Sequence, residues 1–128
     1  MALKDTYANI LQNKEIEIWG DGSIIRDYVY VKDVADSIVN ALNSIDGASI
    51  YNIGSGEGIS LNGIIEEMRN VTNIPINVSY KPSRTFDVPV NVLDITQAKM
   101  KIGYSPKVSL REGISRTWNW IQNQKFDA

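Results

Sequence analysis

Two apolar patterns alternate along this chain, and their alternation restricts the fold more than any other feature. Short β-rich runs occur at Ile16–Trp19, at Ser49–Ile53 and at residues 76–80. Between them lie longer segments in which apolar residues recur every three or four positions, which is the spacing of one helix face. Strands that alternate with helices are typical of α/β folds. The sequence therefore predicts an α/β protein built from short strands and helices.

Helix boundaries are predicted from capping residues. Asp33, Ser60 and Ser109 each precede an amphipathic segment, and their side-chain oxygens suit the N-cap position. Further helices are expected at residues 3–13 and from Thr96 to a terminating glycine at 103. The helix that begins at Asp33 should reach Asn43 and bury one apolar face, formed by Val34, Ile38, Val39 and Leu42.

Composition excludes several classes of function. The 128 residues contain no cysteine and no histidine, which rules out disulfides, cysteine-based zinc sites, cysteine nucleophiles and Ser-His-Asp triads. The net charge is -2 and no run of basic residues is present, so no nucleic-acid partner is expected. No apolar stretch is long enough to cross a bilayer, and no signal-peptide pattern opens the chain. We expect a cytoplasmic protein without a metal site.

The strongest local cluster of functional groups runs from Gly20 to Asp33. A turn at Gly20–Gly22 is followed by Arg26 and by a second extended piece predicted at Asp27–Val31. The arginine fork is suited to phosphate oxygens. By itself, this cluster is explained more simply by a surface ion pair of Arg26 with Asp27 or with another carboxylate.

Four segments, in order along the chain, together resemble the extended short-chain dehydrogenases, specifically the NAD-dependent nucleotide-sugar epimerases and dehydratases. They are WGDGSIIRDYVYVKDVADSIVNAL, IYNIGSG, RTFDV followed by LDITQA, and IGYSP followed by SLREG. The resemblance covers nearly the whole chain and is nearest to the UDP-glucose 4-epimerases. It implies that residues 1–128 are the C-terminal, substrate-binding portion of an extended Rossmann-type dehydrogenase whose N-terminal NAD-binding domain is absent.

The resemblance also implies site residues. Arg26 stands where the family has an arginine that contacts the substrate diphosphate. Arg84 and Asp87 match a later arginine near the same diphosphate and an aspartate near the nucleoside. Asn52 is a further candidate polar contact with the substrate; alternatively, its side chain closes the turn after the predicted strand at Ser49–Ile53.

For the parent protein the resemblance implies an isomerase that uses NAD, acts on a UDP-sugar and forms a homodimer. The alternatives are a nucleotide-sugar 4,6-dehydratase or reductase of the same family, and a sugar-nucleotide binding module without chemistry. Neither the family's cofactor loop nor its catalytic residues are found in the chain. We therefore assign no catalytic or cofactor-binding residue here and expect the 128 residues alone to be inactive.

Two motifs imitate functional ones. Gly54-x-Gly56-x-Gly58 follows a predicted strand, but a dinucleotide fingerprint needs its third glycine where Ile59 stands. The sequence favours a turn with unusual backbone angles.

The second is Tyr28-x-x-x-Lys32, which has the spacing of the family's catalytic pair. That pair lies on a helix, where four residues bring both side chains to one face. An extended segment would hold them about 13 Å apart, so we interpret this match as coincidence.

Overall fold

The computed structural model describes residues 3–44 and 49–123, which fold into five helices and five strands. Helices and strands alternate, and the predicted α/β class is confirmed. In chain order the elements are α1 (Leu3–Leu11), β1 (Ile16–Trp19), β2 (Ile25–Asp27), α2 (Val31–Leu42), β3 (Gly58–Ser60), α3 (Leu61–Thr72), β4 (Val78–Lys81), β5 (Val90–Asn91), α4 (Thr96–Ile102) and α5 (Leu110–Gln122).

The described strands form two small sheets. Strands β1 and β4 pair in parallel, with Ile16 opposite Val78 and Trp19 opposite Lys81. Strand β2 lies at the centre of the second sheet, antiparallel to β3 and parallel to β5. The first sheet brings Trp19 beside the start of the irregular loop at residues 82–89, and the second sheet carries Arg26.

One large apolar cluster, called the main core here, lies between β1 and helices α1, α3 and α5. Alternate residues of β1 point into it, and Tyr7 of α1 stacks on Trp118 of α5 with ring centroids 6.3 Å apart. The Tyr7 hydroxyl donates to the Ile114 carbonyl at 3.3 Å. Buried members of the main core are Tyr7, Ile10, Ile16, Ile18, Leu61, Ile64, Ile65, Met68, Ile76, Ile114, Trp118 and Ile121.

A smaller cluster lies around α4. Its buried members are Ile95, Ala98, Ile102 and Tyr104, packed against half-buried residues that include Ile53 and Leu93. The Tyr104 hydroxyl donates to the Gly54 carbonyl at 2.6 Å, which fixes the glycine loop to this cluster.

Two of the predicted helix caps are confirmed. Ser60 Oγ accepts from the Gly63 N–H at 3.1 Å, and Ser109 Oγ accepts from the Glu112 N–H at 3.3 Å. The Glu112 carboxylate accepts from Arg116 Nε at 2.8 Å, so it is engaged within α5. Gly103 takes the left-handed conformation after α4, as expected of a terminating glycine.

The predicted start of α2 is wrong. The helix begins at Val31, its N-cap is Tyr30, and the extended piece before it covers Ile25–Asp27 rather than Asp27–Val31. Asp33 lies inside the first turn, where its buried carboxylate accepts from the N–H groups of Lys107 and Val108 at 3.1 and 3.0 Å. Both bonds go to Oδ2 of Asp33, so its side chain binds a segment about 75 residues later in the chain, a partner that no local pattern could show.

The predicted buried strand at Ser49–Ile53 is also wrong. These residues form no strand, and Ile50 is 92% exposed. A strand needs a neighbour that pairs with its backbone, and none of the described strands lies beside this segment.

The apolar face predicted for α2 is largely uncovered. We call Val31, Ile38, Val39 and Leu42 the outer face of α2, since each is exposed. None of the described helices is long and apolar enough to span a membrane.

Candidate functional site

Arg26 lies at the middle of β2 and is fixed by backbone carbonyls. Its Nη1 donates to the carbonyls of Ile25 and Val88 at 2.8 and 2.7 Å. The second bond joins β2 to the irregular loop at residues 82–89. The guanidinium is therefore held in place without using a carboxylate.

The simpler explanation, an ion pair with Asp27, does not describe this arrangement. The Asp27 carboxylate accepts from Ser55 N at 2.7 Å, Ser55 Oγ at 2.5 Å, Gly56 N at 3.0 Å and Leu93 N at 3.3 Å. Burial opposes its ionisation, but these hydrogen bonds outweigh that effect, and the pKa of Asp27 lies below its usual value. Asp27 therefore fastens two loops to β2.

Arg84 and Asp87 lie in the loop at residues 82–89. The Asp87 N–H donates to the Arg84 carbonyl at 3.3 Å, which makes a turn between them. The Arg84 guanidinium carbon lies 4.1 Å from the centroid of the Trp19 ring. This distance is within the range of a cation–π contact.

Arg26, Arg84 and Asp87 line one cleft of about 320 Å³. The other residues on its wall are Glu17, Ile18, Trp19, Ile24, Asp27, Tyr28 and Leu61. Two guanidinium groups and the carboxylates of Glu17, Asp27 and Asp87 thus share a space of ligand size. Arg84 and Asp87 also border a larger cleft of about 730 Å³, which is lined in addition by residues of the Gly20–Gly22 turn.

Asn52 is not among the residues that line the shared cleft. Its side chain is exposed, and Nδ2 donates to the Asp94 carbonyl at 3.2 Å, just before α4. The structure thus brings together three of the four predicted site residues.

The glycine loop is engaged within the protein. The N–H groups of Ser55 and Gly56, which a bound phosphate would need, donate to the Asp27 carboxylate. Strand β3 then separates the loop from α3, whereas a dinucleotide fingerprint opens directly into a helix. The loop at Gly54–Gly58 therefore differs from a dinucleotide fingerprint in both its contacts and its position.

Tyr28 and Lys32 do not share a helix face. Tyr28 precedes α2, while Lys32 lies in its first turn with Nζ 2.9 Å from Asp36 Oδ1. Burial raises the pKa of Tyr28, and the charge of Arg26 lowers it by a smaller amount. A raised pKa disfavours the phenolate form that a base needs.

Sequence reasoning missed Trp19 as a site residue. The strand pattern assigned it only to β1, yet it is 40% exposed and contacts Arg84. The available signal was its position at the end of a strand, directly before the Gly20–Gly22 turn.

Comparison with known proteins identifies the family of the chain. Residues 2–54 match the NAD dependent epimerase/dehydratase family. The chain is 36% identical to a UDP-glucuronate 4-epimerase of Thermodesulfobacterium geofontis, over 87% of this chain and 34% of that protein. It is 31% identical to GDP-L-fucose synthase 1 of Arabidopsis thaliana, over 84% of this chain and 33% of that protein.

Among solved structures, the UDP-glucose 4-epimerase of Thermotoga maritima with UDP-glucose superimposes with a TM-score of 0.87 at 36% identity. The match covers 94% of this chain and 39% of that one. The chain thus spans about a third of the length of the curated relatives it matches. It belongs to the NAD-dependent epimerase/dehydratase family, whose members include UDP-sugar 4-epimerases.

Proposed function

We propose that this chain is the substrate-binding part of an NAD-dependent nucleotide-sugar epimerase and that it holds the nucleotide diphosphate. The proposal rests on one observation, that Arg26, Arg84 and Asp87 line the same cleft. Arg26 comes from a sheet and the other two from a loop about 60 residues later in the chain. This convergence places two guanidinium groups in a cleft whose other acidic residues are already engaged, Glu17 with Lys81 and Asp27 with the backbone N–H groups of Ser55 and Gly56.

The chemistry of the cleft fits a diphosphate. Each guanidinium can offer paired N–H donors to phosphate oxygens, and such charge-assisted bonds are stronger than neutral ones. The Asp87 carboxylate can accept from hydroxyl groups of a nucleoside, which an arginine cannot do. The cleft would therefore distinguish a nucleoside diphosphate from inorganic anions by its acceptor as well as by its donors.

In such an enzyme NAD supplies the oxidation and reduction of the sugar. Because the glycine loop already binds Asp27, we assign NAD to a part of the protein outside this chain. The chain then contributes binding and orientation, which account for much of the rate in reactions of this kind. We expect no epimerase turnover from the 128 residues alone.

The domain assignment rests on the outer face of α2. Val31, Ile38, Val39 and Leu42 are exposed although they form the apolar side of an amphipathic helix. Ile50 is exposed in the adjacent β-rich segment. We propose that both are covered by the NAD-binding part of the protein, to which this chain is the C-terminal portion.

UDP-sugars are the first choice of substrate, because two of the similar proteins are named for them. The match to GDP-L-fucose synthase 1 favours a second candidate, an enzyme of the same family that acts on a GDP-sugar. Both candidates use the same diphosphate contacts and differ in the base that the cleft accepts.

The test is calorimetry on the full protein with UDP, UDP-glucose, dTDP-glucose and GDP. Arg84→Ala should weaken every diphosphate ligand by roughly 10- to 100-fold, since a hydrogen bond to a charged group is worth about 1.5–3 kcal/mol. Arg116→Ala is the matched control, because Arg116 pairs with Glu112 on α5 and is not among the residues that line the cleft. Unchanged affinity in Arg84→Ala would show that this loop does not bind the diphosphate.

A further inference from the structure

The backbone around Arg84 does little to fix its side chain. Residues 82–86 are exposed and belong to no helix or strand. An arginine in such a loop has many rotamers, and ordering them opposes ligand binding. A contact that restricts Arg84 before the ligand binds would reduce this cost.

Trp19 provides a rigid surface at this point. Its backbone ends β1, directly opposite Lys81 of β4, and the next residue donates its N–H to the Lys81 carbonyl at 2.9 Å. The ring is 40% exposed and carries the Arg84 guanidinium on its face at 4.1 Å. The neighbouring cation, Lys81, lies 3.1 Å from Glu17 Oε1 instead.

We propose that Trp19 is a positioning residue that holds Arg84 in the cleft beside Arg26. This inference rests on the proposed function and adds a residue to it. Arg26 is fixed by two carbonyls, and Arg84 by an aromatic face. The two cations are therefore held by different means.

Stacking suits this role because it leaves the donors of Arg84 available. A ring attracts the flat face of a guanidinium, whereas the N–H groups point outward in the plane of the group. A carboxylate in place of Trp19 would occupy the same fork that a diphosphate needs. Trp19 can thus order Arg84 without competing with the ligand.

The first experiment measures the affinity of the full protein for inorganic pyrophosphate and for UDP. Trp19→Leu should weaken both ligands roughly 2- to 5-fold, the effect of an exposed cation–π contact. Trp19→Phe keeps an aromatic face and should lose less affinity for both ligands than Trp19→Leu. Trp120→Leu is the matched control, because Trp120 is 60% exposed on α5 and is not among the cleft residues.

A double-mutant cycle separates positioning of Arg84 from a general structural effect. In an Arg84→Ala background, Trp19→Leu should cause no further loss of pyrophosphate affinity. An equal loss in both backgrounds would overturn the inference and leave the proposed function standing. If Arg84→Ala itself does not weaken pyrophosphate or UDP, the proposed function is wrong as well. Equal affinities of Trp19→Leu and Trp19→Phe would also count against stacking.

Discussion

Helices α2 and α3 are both 12 residues long and amphipathic, yet they bury opposite kinds of residue. In α3 the buried side chains are Leu61, Ile64, Ile65 and Met68, all of them in the main core. In α2 they are Asp33 and Ser37, while Ile38 and Leu42 are 58% and 80% exposed. Helix α3 has its partner within the chain, and α2 faces the chain with its polar side.

The difference separates two sources of stability. Full burial of one large aliphatic side chain contributes about 1.5–3 kcal/mol, and α3 obtains this from α5 and β1. Helix α2 is held instead by polar contacts, such as the Asp33 carboxylate on the N–H groups of Lys107 and Val108. Its apolar side contributes little until something covers it.

The same substitution in the two helices tests this directly and has the largest expected effect. Ile64→Ala removes a side chain that is 0% exposed in the main core, and should lower the free energy of unfolding by about 2–5 kcal/mol. Ile38→Ala makes the same chemical change on the outer face of α2 and should cost less than about 1 kcal/mol. Urea denaturation of the chain measures both values.

Similar losses of unfolding free energy in Ile64→Ala and Ile38→Ala would contradict the difference between α2 and α3. They would mean that the outer face of α2 is packed within the chain in solution. A change in the slope of the urea curve would point instead to a changed unfolded state.

Local patterns predicted most elements of the main core, whose partners lie in the chain, but strands β3 and β5 also pair within the chain and were not predicted. The main-core helices, the strand at Ile16–Trp19 and the Ser60 and Ser109 caps follow from spacing and side-chain chemistry. Ser49–Ile53 has the composition of a strand but no neighbour among the described strands. A segment of this composition forms a strand only where the backbone of another strand pairs with it.

Less of the candidate site than of the fold could be predicted from the sequence. Arg26, Arg84 and Asp87 were named from the family resemblance, and no local pattern could show that they share a cleft. Asn52 was named in the same way but lies apart. Trp19 was missed because its role depends on a contact with a residue 65 positions later.

Asp27 connects β2 to the glycine loop and to the smaller cluster around α4. Its substitution should lower the free energy of unfolding by an amount between those of Ile64→Ala and Ile38→Ala. Asp27 lies on β2, and its carboxylate binds the glycine loop and Leu93, which packs on the smaller cluster. Asp27→Asn removes the charge and replaces one acceptor oxygen with an NH2 donor, which cannot accept from the N–H groups around it, and should cost about 1–3 kcal/mol at pH 7. Asp36→Asn is the control, since Asp36 is paired with Lys32 on the surface and should cost about 0–0.5 kcal/mol.

The pH dependence of Asp27→Asn gives a second measurement. The pKa of Asp27 is lower in the folded state, so its stabilisation is complete above the unfolded pKa of about 3.9 and is lost as pH falls through the folded pKa. Wild-type stability should therefore fall on acidification below about pH 4, and Asp27→Asn should show a smaller slope. Some slope should remain, because hydrogen bonds also lower the pKa values of Asp21 and Asp94. Identical slopes would mean that Asp27 does not hold the loops in solution.

The smallest effect on stability is expected on the outer face of α2 itself. The double substitution Ile38→Ser and Leu42→Ser should change the free energy of unfolding of the chain by no more than about 1 kcal/mol, because both side chains are exposed. The same change should reduce concentration-dependent association in analytical ultracentrifugation, since a contiguous apolar surface without a partner tends to self-associate. Met100→Ser on α4 removes another exposed apolar side chain and serves as the control. If Met100→Ser lowers association and the α2 double variant does not, the surface that self-associates lies outside the outer face of α2. Loss of association only in the α2 variant would identify α2 as the side of the chain that requires a partner.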